Sequence, residues 1–313
     1  MNIKKLRELL ELPQSFRALT NQIRNLENSL DILKKLAARN LEVSLANTNT
    51  SFPDREFRVS SQFGDDGIIQ FLLEKVAPTS TRFIEFGTQD YSEANTRYLL
   101  EAKNWSGLIL DGDSEAMEAL KSEVLYWRHD LTAVGAFVTR DNINELFRSH
   151  GFSGSIGLLS IDIDGNDYWV WERIECIDAD IVVVEYNSLF GPSLPVTVPY
   201  DPAFDRKRAH FSCQYWGASL KALEILGSRL GYKLVGCNSA GNNAYFIKKT
   251  CPHLPARSAE SAYIRAKWRE GRDESGRLNF PSPENAIKQI GNCDLINIET
   301  EALCKVSHLF PAK

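Results

Sequence analysis

Apolar residues at Phe16, Leu19, Ile23, Leu26, Leu30, Leu33 and Ala37 alternate spacings of three and four through a stretch otherwise filled with Asn, Arg, Lys and Glu. That is the a/d seam of a heptad repeat, and a helix carrying it alone leaves a narrow apolar stripe in water. The pattern predicts an N-terminal helix over residues 1–45 that forms a coiled coil with a second copy of the chain, giving a homo-oligomer. Packing of the stripe on the chain's own domain is the alternative. Residues 46–58, rich in Ser, Thr and Asn with one Pro, read as a linker.

From residue 59 the period shortens. RFIEFG (82–87), SGLILDGD (106–113), VLYWRHD (124–130), SIGLLSIDIDG (155–165) and ADIVVVEYN (179–187) read as short buried strands, with helical stretches between them. Such alternation predicts a parallel sheet covered by helices on both faces. After helix 219–231 come strands 232–238 and 243–249, joined so briefly that they make a hairpin, which sets an antiparallel strand into the sheet. Residues 251–313 are charged and broken by Pro and Gly; they read as a helical extension with no chemistry assigned.

Composition narrows the classes. A formal charge of -5 argues against a nucleic-acid surface, which needs a clustered basic face. The 6 cysteines form no CxxC pair, so neither a zinc knuckle nor a disulfide framework is indicated. No stretch approaches the roughly 20 apolar residues of a transmembrane helix. A cytoplasmic setting is the simplest expectation.

Acids collect where the strands end: Glu85 and Asp90, Asp111 and Asp113, Asp130, then Asp162, Asp164 and Asp167, and Glu185. They would repel a pyrophosphate and suit a ligand with cationic and hydroxyl groups. In SIDIDGNDYWVW, strand alternation predicts Asp162 and Asp164 on one face, and Glu185 with Asn187 repeats the spacing. Four oxygen-bearing side chains so placed would suit magnesium. The alternative is structural: Asp164 begins a tight turn with Gly165, and Asp167 caps a helix. The loop 188–219 is long enough to be a lid or binding surface, and it holds Arg206, Lys207, Arg208, His210, Tyr215 and Trp216.

FIEFGTQD, LILDGD and RHD resemble motifs of the class I S-adenosylmethionine-dependent methyltransferases, and within them the FkbM-like sugar and glycan O-methyltransferases, over residues 59–250. The resemblance implies an α/β, Rossmann-like, seven-stranded, mostly parallel sheet with a terminal antiparallel hairpin strand, beside the N-terminal coiled-coil helix. It implies that the loop of Glu85, Gly87, Thr88 and Asp90 lies against the methionine part of the cofactor. Asp111, or alternatively Asp113, would bind the ribose hydroxyls, Asp130 would sit near the adenine amine, and Asp162 would join the cofactor set. One glycine suffices, because this cofactor has no phosphates needing a backbone cradle; Gln89 stands where the family often has a second glycine.

The implied reaction is methyl transfer to a sugar hydroxyl of a glycan, polysaccharide or glycosylated acceptor. Its base would be His210, Asp164 or Glu185, and Arg206, Arg208, Tyr215 and Trp216 would hold the sugar. Some relatives use magnesium to hold a substrate diol, and Asp162, Asp164, Glu185 and Asn187 are the ligands such a role would take here. Such a protein would work in the cytoplasm, or at the membrane periphery beside glycan-assembly enzymes. The competing expectations are an inactive scaffold of the same fold and a Rossmann oxidoreductase, the latter opposed by the missing GxGxxG.

Overall fold

The computed structural model describes residues 3–46, 52–267 and 270–311, with side chains of the first helix described from residue 16 onward. The chain divides into two compact units, residues 1–49 and residues 50–313. The first holds one helix, α1 (Ile3–Leu45). Its hydroxyls bond back to carbonyls four residues earlier at Thr20, Ser29 and Ser44, and Lys35 pairs with Asp31 one turn away. The seam residues Phe16, Leu19, Ile23, Leu26, Leu30 and Leu33 lie 49% to 70% exposed.

The described residues of the second unit form ten strands: β1 (Arg82–Phe86), β2 (Ser106–Asp111), β3 (Leu131–Gly135), β4 (Gly154–Ile161), β5 (Ile177–Glu185), β6 (Val196–Thr197), β7 (Tyr232–Cys237), β8 (Asn243–Lys248), β9 (Asp294–Asn297) and β10 (Leu303–Lys305). Its helices are α2 (Asp65–Val76), α3 (Arg97–Lys103), α4 (Ser114–Lys121), α5 (Val124–Arg128), α6 (Ile143–Ser149), α7 (Asp167–Arg173), α8 (Arg206–Ala209), α9 (Leu220–Arg229), α10 (Ala259–Ala262), α11 (Pro283–Gln289) and α12 (Val306–Leu309).

Seven strands form the main sheet in the order β3-β2-β1-β4-β5-β8-β7. β8 runs antiparallel to both β5 and β7, while the other pairs are parallel. This is the seven-stranded Rossmann-like sheet with a terminal hairpin that the sequence predicts. Side chains alternate as the two-residue period requires. Ile84, Phe86, Leu108, Leu110 and Val184 enter one buried core, whereas Phe83, Ile109, Ile181 and Val183 enter a second on the opposite face. The strand order reverses between β1 and β4, the place where open α/β sheets bind ligands. Register brings Phe86 level with Leu110 and Ile161, and Ile161 level with Val184. The residues that follow these positions therefore meet at one edge.

Two boundaries differ from expectation. Residues 124–128 are helix α5 rather than strand: Val124 and Trp127 are 52% and 71% exposed, and the turn is anchored by buried Leu125 and partly buried Tyr126. The third strand lies just beyond, in β3. The fourth strand stops at Ile161, before the acids that sequence alternation placed within it. Residues 251–313 contribute strands as well as short helices; β9 pairs with β10 and β6 in a small antiparallel sheet around Val196, Val198, Ile290 and Leu295.

Candidate active site

A cleft of about 730 Å³ opens at the carboxyl edge of the sheet, over the switch point. Its walls include Gly87, Asp111, Asp162, Asp164, Glu185 and Arg206. Gly87 has φ 79°, and its N–H donates to the Leu110 carbonyl at 3.0 Å. A Cβ there would stand 1.3 Å from the Asp162 carbonyl oxygen, so only glycine fits between the ends of β1 and β4. The next tight position, Gln89, takes φ 49° and directs its N–H at Asp111 Oδ2, 2.6 Å away. Asp111 Oδ1 accepts the Asp113 N–H at 2.7 Å. Each carboxylate oxygen retains a lone pair, so Asp111 stands fixed on the cleft wall and still able to accept from a ligand diol.

Several predicted cofactor residues lie elsewhere. Asp113 caps α4 by accepting the Ala116 N–H at 3.0 Å, which leaves Asp111 as the ribose candidate. Asp130 precedes β3 and so stands at the opposite edge of the sheet; residues after the carboxyl end of β3, Ala136, Phe137 and Val138, line the cleft instead. The sequence assignment failed because it placed the third strand one element early. Glu85 is buried and committed: its oxygens accept from the N–H groups of Asn95 and Thr96 and from the Thr96 hydroxyl, which pins the loop after β1. Asp90 is taken by the N–H and hydroxyl of Ser92, and Thr88 is buried behind the wall.

Beyond β4 the chain turns sharply. Asp164 takes φ 56°, and Asp167 holds the turn by accepting the N–H groups of Ile163 at 2.8 Å and Gly165 at 3.0 Å. Burial pushes the Asp167 carboxyl up to about 6. Asp162 and Asp164 both reach the cleft, through this turn rather than by strand alternation. Glu185, 6% exposed, closes the end of β5, and its Oε2 has no hydrogen-bond partner. Asp162 and Glu185 face each other. Burial first, and then repulsion from Asp164 and Asp167 on Asp162 and from Asp162 and Asp164 on Glu185, raises both well above the usual carboxylate range. Burial thus disfavours the charged form of each member of the pair.

The predicted magnesium set does not fit. Asn187 is buried, with Oδ1 accepting the Leu189 N–H and Nδ2 donating to the carbonyls of Gln214 and Trp216. Asp164 Oδ1 is engaged by Arg206 Nη1 at 2.7 Å. Among the described residues, no group of three or more His, Cys, Asp or Glu side chains is arranged to hold a metal ion.

Of the predicted loop residues, Arg206 and Lys207 line the cleft. Arg208 is exposed outside it. His210 bonds Ser212 through Nδ1, packs against Phe211 and is not among the residues lining the cleft. Tyr215 donates to the Asp294 carbonyl and packs in the small third core, and Trp216 is buried beneath Arg206. The fold adds wall residues that sequence reasoning missed, among them Phe63, Phe137, Asn242, Glu270 and Arg272. Glu270 and Arg272 lie in the C-terminal stretch, where no motif marks them.

No family model and no curated protein matches the chain. Among solved structures, it is similar to a Podospora anserina methyltransferase, PaMTH1, bound to S-adenosylhomocysteine: 12% identity over 70% of this chain and 87% of that one, TM-score 0.39. It is similar to a Bacillus cereus O-methyltransferase in complex with S-adenosylhomocysteine: 11% identity, 69% and 90% coverage, TM-score 0.37. A third likeness is to the N-terminal domain of EvdMO1 in the presence of S-adenosylhomocysteine and D-fucose: 12% identity, 71% and 95% coverage, TM-score 0.37. The fold itself is fixed by strand order and register: a seven-stranded, Rossmann-like α/β sheet whose ligand cleft lies over the β1–β4 switch.

Proposed function

We propose that the protein is an S-adenosylmethionine-dependent O-methyltransferase whose acceptor is a sugar hydroxyl. The observation that carries this reading is the level meeting of Gly87, Asp111, Asp162 and Glu185 at the switch point: a fixed carboxylate suited to a ribose diol stands beside a buried carboxyl pair suited to take a proton. The cofactor, when bound, supplies an already activated methyl group on a sulfonium. The protein therefore needs to align an acceptor oxygen and remove its proton. The C–O bond forms as the C–S bond breaks, and the hydroxyl proton passes to Glu185, supported by Asp162. Asp164, whose Oδ1 is engaged by Arg206, is the second candidate base.

Support for a sugar comes from the cleft lining. Phe63, Phe137 and Phe204 offer apolar faces, while Asn242 and the acids offer acceptors for hydroxyls. Arg206 is already compensated by Asp164, so the wall favours a neutral polyhydroxyl acceptor over a strongly anionic one. Calorimetry with S-adenosylhomocysteine, followed by mass spectrometry of sugar acceptors incubated with S-adenosylmethionine, tests the reading. Absence of cofactor binding by the folded protein would leave the scaffold alternative standing.

The exposed seam of α1 is best covered by α1 of a second copy. Parallel, in-register pairing stacks each of the seven seam residues on its counterpart and brings no like charges together at the flanking Glu27 and Lys34.

A further inference from the structure

Arg206 enters the cleft from α8 and is unusually well fixed for a long cation. Its side chain is 15% exposed. Nε donates to the Cys213 carbonyl at 2.7 Å, Nη1 to Asp164 Oδ1 at 2.7 Å, and the guanidinium carbon lies 5.0 Å from the centre of the Trp216 ring. Nη2 stands 4.0 Å from Glu270 Oε2 and is buried without a hydrogen-bond partner. The same charge favours the ionised form of Glu185. One guanidinium thus addresses three acids on three segments: the turn after β4, the end of β5 and the C-terminal stretch.

The oxygens that a divalent cation would require are correspondingly occupied. Magnesium and calcium take six or more oxygen ligands. Asp164 is held by Arg206, Asn187 and Asp167 by backbone N–H groups, and Glu85 by the Asn95–Thr96 turn. Of the four residues of the predicted magnesium set, Asp162 and Glu185 are the two left without such a partner.

We propose that Arg206 is a built-in cation that takes the place of a divalent metal in this cleft: it compensates Asp164, Glu185 and Glu270 and leaves the site with no metal requirement. The electrostatic service falls to a group that cannot be chelated and that stays charged at every working pH. The significance for catalysis rests on the methyltransferase reading; the cation exchange itself does not.

The test reads cation binding on the full chain without cofactor or acceptor, by titrating Mn2+ and following the free-ion electron paramagnetic resonance signal. Wild type is expected to show no saturable site tighter than about 1 mM, at the weak end of protein sites for hard cations. Arg206→Met, which leaves the acids uncompensated, should gain a site at least tenfold tighter than any in wild type, and adding Asp164→Asn should remove it. If Arg206→Met does not fold by circular dichroism, Arg206→Gln makes the same comparison. Tight Mn2+ binding by wild type that Asp164→Asn abolishes would overturn the proposal, as would failure of both wild type and the Arg206 variant to bind. Separate calorimetry with S-adenosylhomocysteine distinguishes these outcomes from failure of the cofactor reading.

Discussion

The Asp111 carboxylate accepts the backbone N–H of Gln89 at 2.6 Å, so the end of β2 fixes the loop that follows β1. If that carboxylate also receives a ribose diol, Asp111→Ala should weaken S-adenosylhomocysteine binding at least tenfold, about 1.4 kcal/mol. Because Gln89 would lose its partner too, Asp111→Asn, which keeps an oxygen acceptor, should fall between the two. Unchanged affinity in both variants would remove Asp111 from the cofactor site.

Glu185 has to lose its proton before it can accept one from an acceptor hydroxyl. Its buried carboxyl is raised well above the usual range, so turnover should climb with pH through neutrality. Glu185→Gln should lower kcat by about 10²–10⁴-fold and flatten that climb. Retention of the wild-type pH profile in the variant would assign the base to another group.

Stability should run the opposite way with pH. Asp167 is raised to about 6 in the folded protein, against about 4 in an unfolded chain. Between those values the native state binds the additional proton, so this contribution is fully present below about pH 4 and is lost as pH rises through about 6. For a fully buried group that is about 3 kcal/mol at most. Asp66, Glu85, Asp162 and Glu185 are raised as well, and each has the same sign. The urea midpoint should therefore fall from pH 5 to pH 7.5, and less steeply in Glu185→Gln. A midpoint that rises over this range would contradict the assignment.

Deleting residues 1–45 should reduce the mass measured by light scattering to that of the monomer. Leu26→Asp, a charge placed on the seam, should do the same without shortening the chain. An unchanged mass in either case would show that the seam does not join two copies.

The layers of the fold were legible because the buried strands are short continuous apolar runs, as in IVVVE of β5, separated by helical stretches, and because the link between β7 and β8 is too short for anything but a hairpin. VLYWR misled because its aromatic and β-branched residues favour strand, while the structure packs only Leu125 and Tyr126 of it against the core. The acids were legible as a group and not as individuals. Asp111, Asp113, Glu85 and Asp162 all stand near strand ends, and what separates them is which nearby N–H groups each has already accepted. That commitment depends on loop conformation, which side-chain type does not encode. Glu270 and Arg272 were invisible for a different reason: they reach the cleft from an irregular stretch after α10, where the Arg272 N–H bonds the Ser212 carbonyl, far along the chain from any motif.

Gly87 makes the two halves of the cleft mechanically one. With no room for even a methyl group between its Cα and the Asp162 carbonyl, the strand end that would face the donor abuts the turn that would face the acceptor, backbone against backbone. Any ligand that shifts Asp162 must therefore displace the glycine loop as well. Occupancy on the acceptor side would in this way be felt directly by the donor, with no intervening side chain to absorb the movement.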